Sequence, residues 1–277
     1  MLHEARGLTE PELAAIAELE RRVVVSDGGR LKLEWQTLRH RPGDRVDDLL
    51  WWEDGRLLGF VGLYPFGGPL ELAGMVDPAA RRRGIGRALL DAALRTAAER
   101  HVDRVLLVVP RSTPAGREFA LCHGGALDHS EHFLALGDTP STDNVRDDVI
   151  LRPATPEDDE VLRRIYLSAF GEGSPGYVAD PSARQLVIQQ AGAAVGTLRI
   201  TNDEGRTGIY GFGVEPALRG RGIGRAALAM VCAQVRGEGS REVTLEVAVG
   251  NDRALGLYIS VGFEPRATED YYAITVP

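Results

Sequence analysis

Apolar and polar positions alternate along this chain in two rhythms. In "VILRPATPEDDEVLRRIYLSAF", residues 149–170, a short apolar run precedes Thr155, then a proline and acids, then apolar residues at helical spacing. Thr155 reads as the cap of a helix whose first turn holds Pro156 and the acids. Near the start, Thr9, Pro11 and Glu12 precede "LAAIAEL" in the same way. Strand-sized runs such as "GRLLGFVGL", "GAAVGTLRI" and residues 105–109 fill the intervals.

The order of these elements repeats. "GMVDPAARRRGIG" and "FGVEPALRGRGIG" stand at one constant separation, measured from Val76 to Val214 or from Arg81 to Arg219. Downstream, "VLLVVPRSTPAGREF" lies against "VTLEVAVGNDRALGLY" with one residue inserted, which sets Leu106 against Leu245, Ser112 against Asn251 and Phe119 against Tyr258. Residues 136–148, rich in Asp, Thr, Ser and Pro, read as the linker between two copies. Each copy runs strand, helix, one or two strands, a strand ending at Val76 or Val214, a glycine-led helix, a strand, a helix and final strands. This predicts an α/β (α+β) fold with helices on both faces of each sheet, in domains 1–140 and 147–277.

Composition narrows the function. The 277 residues are 44% hydrophobic and 26% charged, with a formal net charge of −8. That balance fits an ordinary folded protein and argues against nucleic acid as a partner. Nearly every cation is arginine, and Lys32 is the lone lysine, a bias of GC-rich coding. Two cysteines, Cys122 and Cys232, sit in helix-like stretches of different halves, so both read as small core residues in a reducing compartment. The N-terminal residues show no leader pattern and no run is long enough to span a bilayer, so a cytoplasmic chain without a membrane partner is expected.

The chemistry gathers at the paired turns. Arg81, Arg82, Arg83, Gly84, Ile85, Gly86 and Arg87 in one copy match Arg219, Gly220, Arg221, Gly222, Ile223, Gly224 and Arg225 in the other. Glycines let main-chain N–H groups approach a ligand, the helix N-terminus favours negative charge, and the arginines add more, so a phosphate-bearing ligand is indicated. A dinucleotide-binding fingerprint directly after the first strand is missing. The Arg-x-x-Gly-x-Gly arrangement between strand and helix resembles the acyl-CoA signature of the GNAT superfamily of N-acetyltransferases, and the resemblance spans essentially the whole chain, one unit per half.

That resemblance implies two tandem GNAT domains, each a mixed, splayed sheet flanked by helices, with acetyl-CoA as co-substrate and its pyrophosphate on the loop amides. It implies that Phe212 and Val214, with Val76 in the first copy, offer backbone to pantetheine. "VTLEVAVGNDRALGLYISVGF" is similar to the family's fifth strand and following helix, with Asn251 and Tyr258 at the matching positions. Tyr258 would protonate the departing thiolate, chemistry a phenol can perform; its alternative is a packed core tyrosine. Phe119 lacks that hydroxyl, so the N-terminal half is expected to be degenerate or structural and the C-terminal half catalytic.

Many family members carry a glutamate eleven residues before the motif, a place held here by Gly208 and Leu70. Tyr210 and Leu72 stand two residues on, and Tyr210 is a candidate proton relay through water; Glu71 points to the opposite face unless a bulge intervenes. No general base is identified. Cys122, His123, His129 and His132 do not specify a metal site. Trp51 and Trp52 read as strand packing, and Tyr271 and Tyr272 as half-buried aromatics of a last strand, one of which could line an acceptor cleft. The expected partner is a small-molecule amine, and the chain is expected to be a monomer or homodimer. The tandem arrangement is similar to mycothiol synthase-like enzymes, which acetylate a cysteinyl pseudodisaccharide. A non-catalytic acyl-CoA binder is the alternative of another class, and the loop at residues 170–179 would shape acceptor choice.

Overall fold

The computed structural model describes residues 1–66, 68–138, 146–171 and 183–277. They form two compact units, Met1–Ser130 with Ala267–Pro277, and Glu131–Arg266.

In the first unit, β1 (Leu2–Ala5) leads to α1 (Glu10–Asp27), where Thr9 and Glu12 form a reciprocal capping box around Pro11. Leu13, Ile16, Leu19 and Val23 are its buried stripe, and Gly28 at φ 71° ends it. Then come α2 (Trp35–Arg39), β2 (Asp48–Glu53), β3 (Arg56–Tyr64), β4 (Leu70–Val76), α3 (Ile85–Glu99), β5 (Arg104–Pro110), α4 (Pro114–Cys122) and the beginning of β6 (Ala126–Leu136).

The second unit repeats the plan with β7 (Val149–Pro153), α5 (Asp159–Phe170), β8 (Arg184–Gln190), β9 (Ala193–Asp203), β10 (Arg206–Val214), α6 (Ile223–Gly237), β11 (Glu242–Ala248), α7 (Asp252–Val261) and β12 (Phe263–Thr275). Strands neighbour in the order β1-β2-β3-β4-β5-β12 in one unit and β7-β8-β9-β10-β11-β6 in the other. The central pairs β4/β5 and β10/β11 are parallel, as expected where α3 and α6 serve as crossovers, whereas β3/β4 and β9/β10 are antiparallel. The compact units differ from the sequence halves at their ends. Glu269–Thr275 of β12 pair with β5 of the first unit, and Glu131–Ala135 of β6 pair with β11 of the second.

Each sheet buries both faces. Leu70, Leu72, Val105, Leu107 and Val109 pack against α3, whereas Phe60, Tyr64, Ala73 and Met75 pack against α1. Trp51 joins the first cluster and Trp52 the second, so the adjacent tryptophans serve opposite faces. Cys232 is buried and its thiol is pushed up to about 12 by desolvation. Cys122 is exposed, contrary to expectation, because α4 turns Ala120 inward and Cys122 falls on its outer side. Residues 139–145 of the expected linker and 172–179 of the expected acceptor loop lie outside the described residues. Among the described residues no helix is long and apolar enough to cross a membrane.

The entry to α5 makes a testable ion pair. Arg152 holds the Asp158 carboxylate at 2.6 and 2.7 Å while Asp158 accepts from Thr155 N at 2.8 Å. The Arg152 hydrogen bonds, then that backbone bond, hold Asp158 well below the usual carboxylate range. This stabilisation is present above the unfolded carboxylate pKa and is lost as pH falls through the depressed folded one. The melting-temperature gap between wild type and Asp158→Asn should therefore close as acid is added, measured by pH-resolved thermal melts.

Candidate active site

Each sheet opens at its centre. Pairing of β4 with β5 runs from Leu70↔Val105 to Ala73↔Val108 and stops, although β4 continues to Val76 and β5 to Pro110. Pairing of β10 with β11 ends at Ile209↔Leu245, although the strands reach Val214 and Ala248. Two parallel strands that part in this way leave a wedge lined by backbone groups. Phe212 and Val214 stand on that stretch in one unit and Val76 in the other.

The glycine-led loop sits beyond the wedge. Arg82 (φ 62°) and Gly84 (φ 84°) adopt the left-handed backbone in the first unit, as do Gly220 (φ 79°) and Gly222 (φ 81°) in the second. Gly84 and Gly222 cap α3 and α6 without any side-chain hydrogen bond, so no side chain covers the first-turn amides from the cap position. Ile85 and Ile223 are buried, which pins each first turn to the core and leaves only their backbone at the mouth.

The arginines divide by task. Arg81 grips Asp27 at 2.9 and 2.7 Å and reaches Val76 O at 3.2 Å; Arg219 reaches Val214 O at 2.9 Å and Ala169 O at 3.1 Å. Both brace the loop by their guanidinium groups. Arg83 pairs with Glu53 at 2.6 Å and Arg87 faces Asp91 at 3.7 Å, whereas Arg221 and Arg225 are exposed. Two further cations gather at the second loop. Arg146 donates to Arg221 O and lies 3.5 Å from where a Gly222 Cβ would stand, and Arg253 lies 3.6 Å from the same point on Gly220. Sequence reading missed both: Arg146 sits in the linker-like stretch, and only the start of α7 brings Arg253 to the loop.

Tyr258 is 8% exposed, with its ring 6.2 Å from those of Phe212 and Phe263, and burial alone pushes its hydroxyl up to about 12. Asn251 caps α7, accepting from Ala254 N at 3.1 Å. Leu257 and Phe212 approach Gly224, each 3.5 Å from a Cβ there, and in the first unit Phe119 lies 3.2 Å from a Cβ at Gly86.

These contacts correct the register of the repeat. Phe119 answers Leu257, buried Ala120 answers Tyr258, and Thr113, the residue preceding α4, answers Asn251. Likewise Leu107, on the α3 face, answers Leu245 on the α6 face. The extra residue of the second copy lies upstream, in β10, where the register shifts between Tyr210 and Gly213 and Gly211 takes φ 54°. β4 pairs without a break from Gly59↔Val76 to Tyr64↔Glu71. Glu71 therefore stands at the rung of Gly208, on the face of α1, while Leu70 and Leu72 belong to the α3 core. The bulge that sequence reading made the condition for Glu71 exists, in the other copy.

Tyr210 folds back over Gly208: a Cβ at 208 would lie 2.6 Å from its hydroxyl, and the Arg199 guanidinium lies 5.9 Å from its ring. A side chain at 208 would thus displace the Tyr210 ring from its seat. His123 lies 2.8 Å from Phe119 O and His129 2.8 Å from Asp128, and among the described residues no three His, Cys, Asp or Glu side chains form a metal-binding group.

The model of the acetyltransferase (GNAT) family matches this chain twice, over residues 11–123 and 149–263. The chain belongs to the GNAT family. It is 30% identical over 244 residues to a mycothiol acetyltransferase of Clavibacter michiganensis, covering 79% of this chain and 77% of that one. It is also 30% identical over 291 residues to the mycothiol acetyltransferase of Thermomonospora curvata, covering 98% and 96%. A GCN5-related N-acetyltransferase from Sphaerobacter thermophilus shares the fold with a TM-score of 0.80 at 21% identity, covering 99% and 96%. A tandem GNAT protein from the clavulanic acid biosynthesis pathway does so at 0.72 and 19%, covering 100% and 99%. This GNAT chain is an acetyltransferase of two tandem units, and enzymes of its family use acetyl-CoA in general.

Proposed function

We propose that the second unit binds acetyl-CoA and transfers its acetyl group to the primary amine of a small molecule. The carrying observation is the buried Tyr258 beside a wedge and an uncapped helix N-terminus, where the first unit has Ala120. The amides of Gly222, Ile223 and Gly224, with Gly220, Arg221, Arg225, Arg146 and Arg253, suit a diphosphate. The extended backbone from Phe212 to Val214 suits the pantetheine amides, and Arg219 holds the loop.

Amine attack on a thioester develops negative charge on oxygen and then on sulfur. Tyr258, protonated at neutral pH, donates to the leaving sulfur. Tyr210 carries the proton of the amine to water from the seat over Gly208. In the first unit Val76, Arg82, Gly84, Ile85 and Gly86 keep the same loop backbone, but with Ala120 where the second unit has Tyr258 that unit does not turn over.

The test is release of CoA across a panel of amines. Turnover with at least one amine supports the reading; a chain that acetyl-CoA protects against heat but that acetylates none of them is a binder instead. Tyr210→Phe should lower kcat by about a hundredfold, the low end for general acid–base groups, and leave CoA affinity unchanged. Steady-state kinetics beside calorimetric titration separates the two. A second reading, the mycothiol precursor amine as acceptor, draws on the names of relatives that match at 30% identity. Purified precursor in the same assay decides it.

A further inference from the structure

The lone lysine of this arginine-rich chain is buried at the opening of the first unit's sheet. Lys32 is 9% exposed, and its Nζ donates to Tyr271 Oη at 2.5 Å and stands 3.6 Å from Glu71 Oε2. Glu71 lies two rungs before Ala73↔Val108, where the pairing of β4 with β5 ends, and Tyr271 pairs with Val108 from the far side. The amine is therefore held over β5 at the apex of the wedge. Around it, His129 stacks on Tyr271 at 4.2 Å, and Arg30 meets buried Glu269 at 2.8 Å.

Arginine keeps its proton at any physiological pH, whereas a buried lysine can give its proton up and become a nucleophile. A carboxylate at the Gly208 rung, with an amine in contact, is the arrangement that an incoming acceptor amine would need. We propose that Lys32 is an acyl acceptor: the first unit acetylates its own lysine, once per chain. This rests on the reading that the chain binds acetyl-CoA.

In the step, the Lys32 ammonium gives a proton to Glu71 and its lone pair bonds to the acetyl carbonyl carbon. The carbon–sulfur bond then breaks, the amide nitrogen loses its second proton, and CoA leaves with one proton as the thiol. Lysine ammonium and acetyl-CoA thus become acetyl-lysine, CoA thiol and one released proton. With Ala120 in place of a phenol, the thiolate departs unaided by that helix. Such a step is slow, which suits a single event.

The experiment incubates the full chain with acetyl-CoA and follows intact mass and peptide maps. Since Lys32 is the lone lysine of this sequence, the rival amine is that of the amino terminus, and the two fall in separable peptides. Expected is a gain of one acetyl on the Lys32 peptide, absent in Lys32→Arg, slowed about a hundredfold or more in Glu71→Gln, partly restored in Glu71→Asp, and retained in Tyr258→Phe. The inference is overturned if acetyl-CoA raises the melting temperature yet Lys32 stays unmodified, or if urea-unfolded chain is labelled as fast. If acetyl-CoA neither shifts the melt nor labels the chain, the cofactor reading fails as well.

Discussion

Replacing Tyr258 by Phe should lower kcat/KM for acetyl transfer by between about a hundredfold and ten-thousandfold, the range of a positioned acid–base group, with little change in folding. The ring sits between Phe212 and Phe263 and its packing does not need the hydroxyl. Burial pushes that hydroxyl up to about 12. At pH 7 it is therefore a proton donor, and its own ionisation adds no falling limb to the activity profile below that pH. Steady-state kinetics with a pH series, beside a thermal melt of the variant, checks both points. An unaltered kcat/KM would reduce Tyr258 to a core residue.

Gly222→Val should weaken CoA binding by about tenfold or more. The residue holds φ 81° at the N-terminus of α6, where a β-branched side chain is disfavoured by about 1–2 kcal/mol, and about 1.4 kcal/mol is a tenfold change in affinity. Relief of that strain turns the first-turn amides away from a common focus, and the added methyls meet Arg146, which lies 3.5 Å from the Cβ position. The same strain is small beside the roughly 5–15 kcal/mol that ordinarily holds a domain together, so the variant should fold. Isothermal titration with CoA measures the effect. Arg146→Ala, which keeps the left-handed turn at Gly222 but removes a charge and the hydrogen bond to Arg221 O, should show a smaller loss that grows at low salt.

The two units show how a repeat loses chemistry while keeping geometry. Both loops have the same pair of left-handed residues, and both sheets part at their central parallel pair. Yet the phenol stands only in the second unit, at Tyr258, and the carboxylate at the Gly208 rung only in the first, at Glu71. Ala120 and Gly208 are their counterparts, and Tyr210 fills the space over Gly208. The proposed labour follows from this asymmetry: turnover where the leaving sulfur is served, and a single self-modification where the amine is served.

Periodicity, the two capping boxes at Thr9 and Thr155, and the spacing of Gly84, Gly86, Gly222 and Gly224 were enough to predict the fold class, the duplication and the helix-led loops, because these are local signals. A turn requires its glycine wherever the rest of the chain lies. The tertiary structure alone decided the register. A one-residue bulge at Gly211 moves every later match by one position, and only the pairing of β10 with β9 reveals it. That shift decides whether Glu71 or Leu70 answers Gly208, whereas past the bulge the separation of the two loops continues unbroken and sets Ala120, not Phe119, against Tyr258. Nor could spacing bring Lys32 to Tyr271, or Arg253 to Gly220. Those contacts join residues distant in the chain, and side-chain packing, which has no period, sets them.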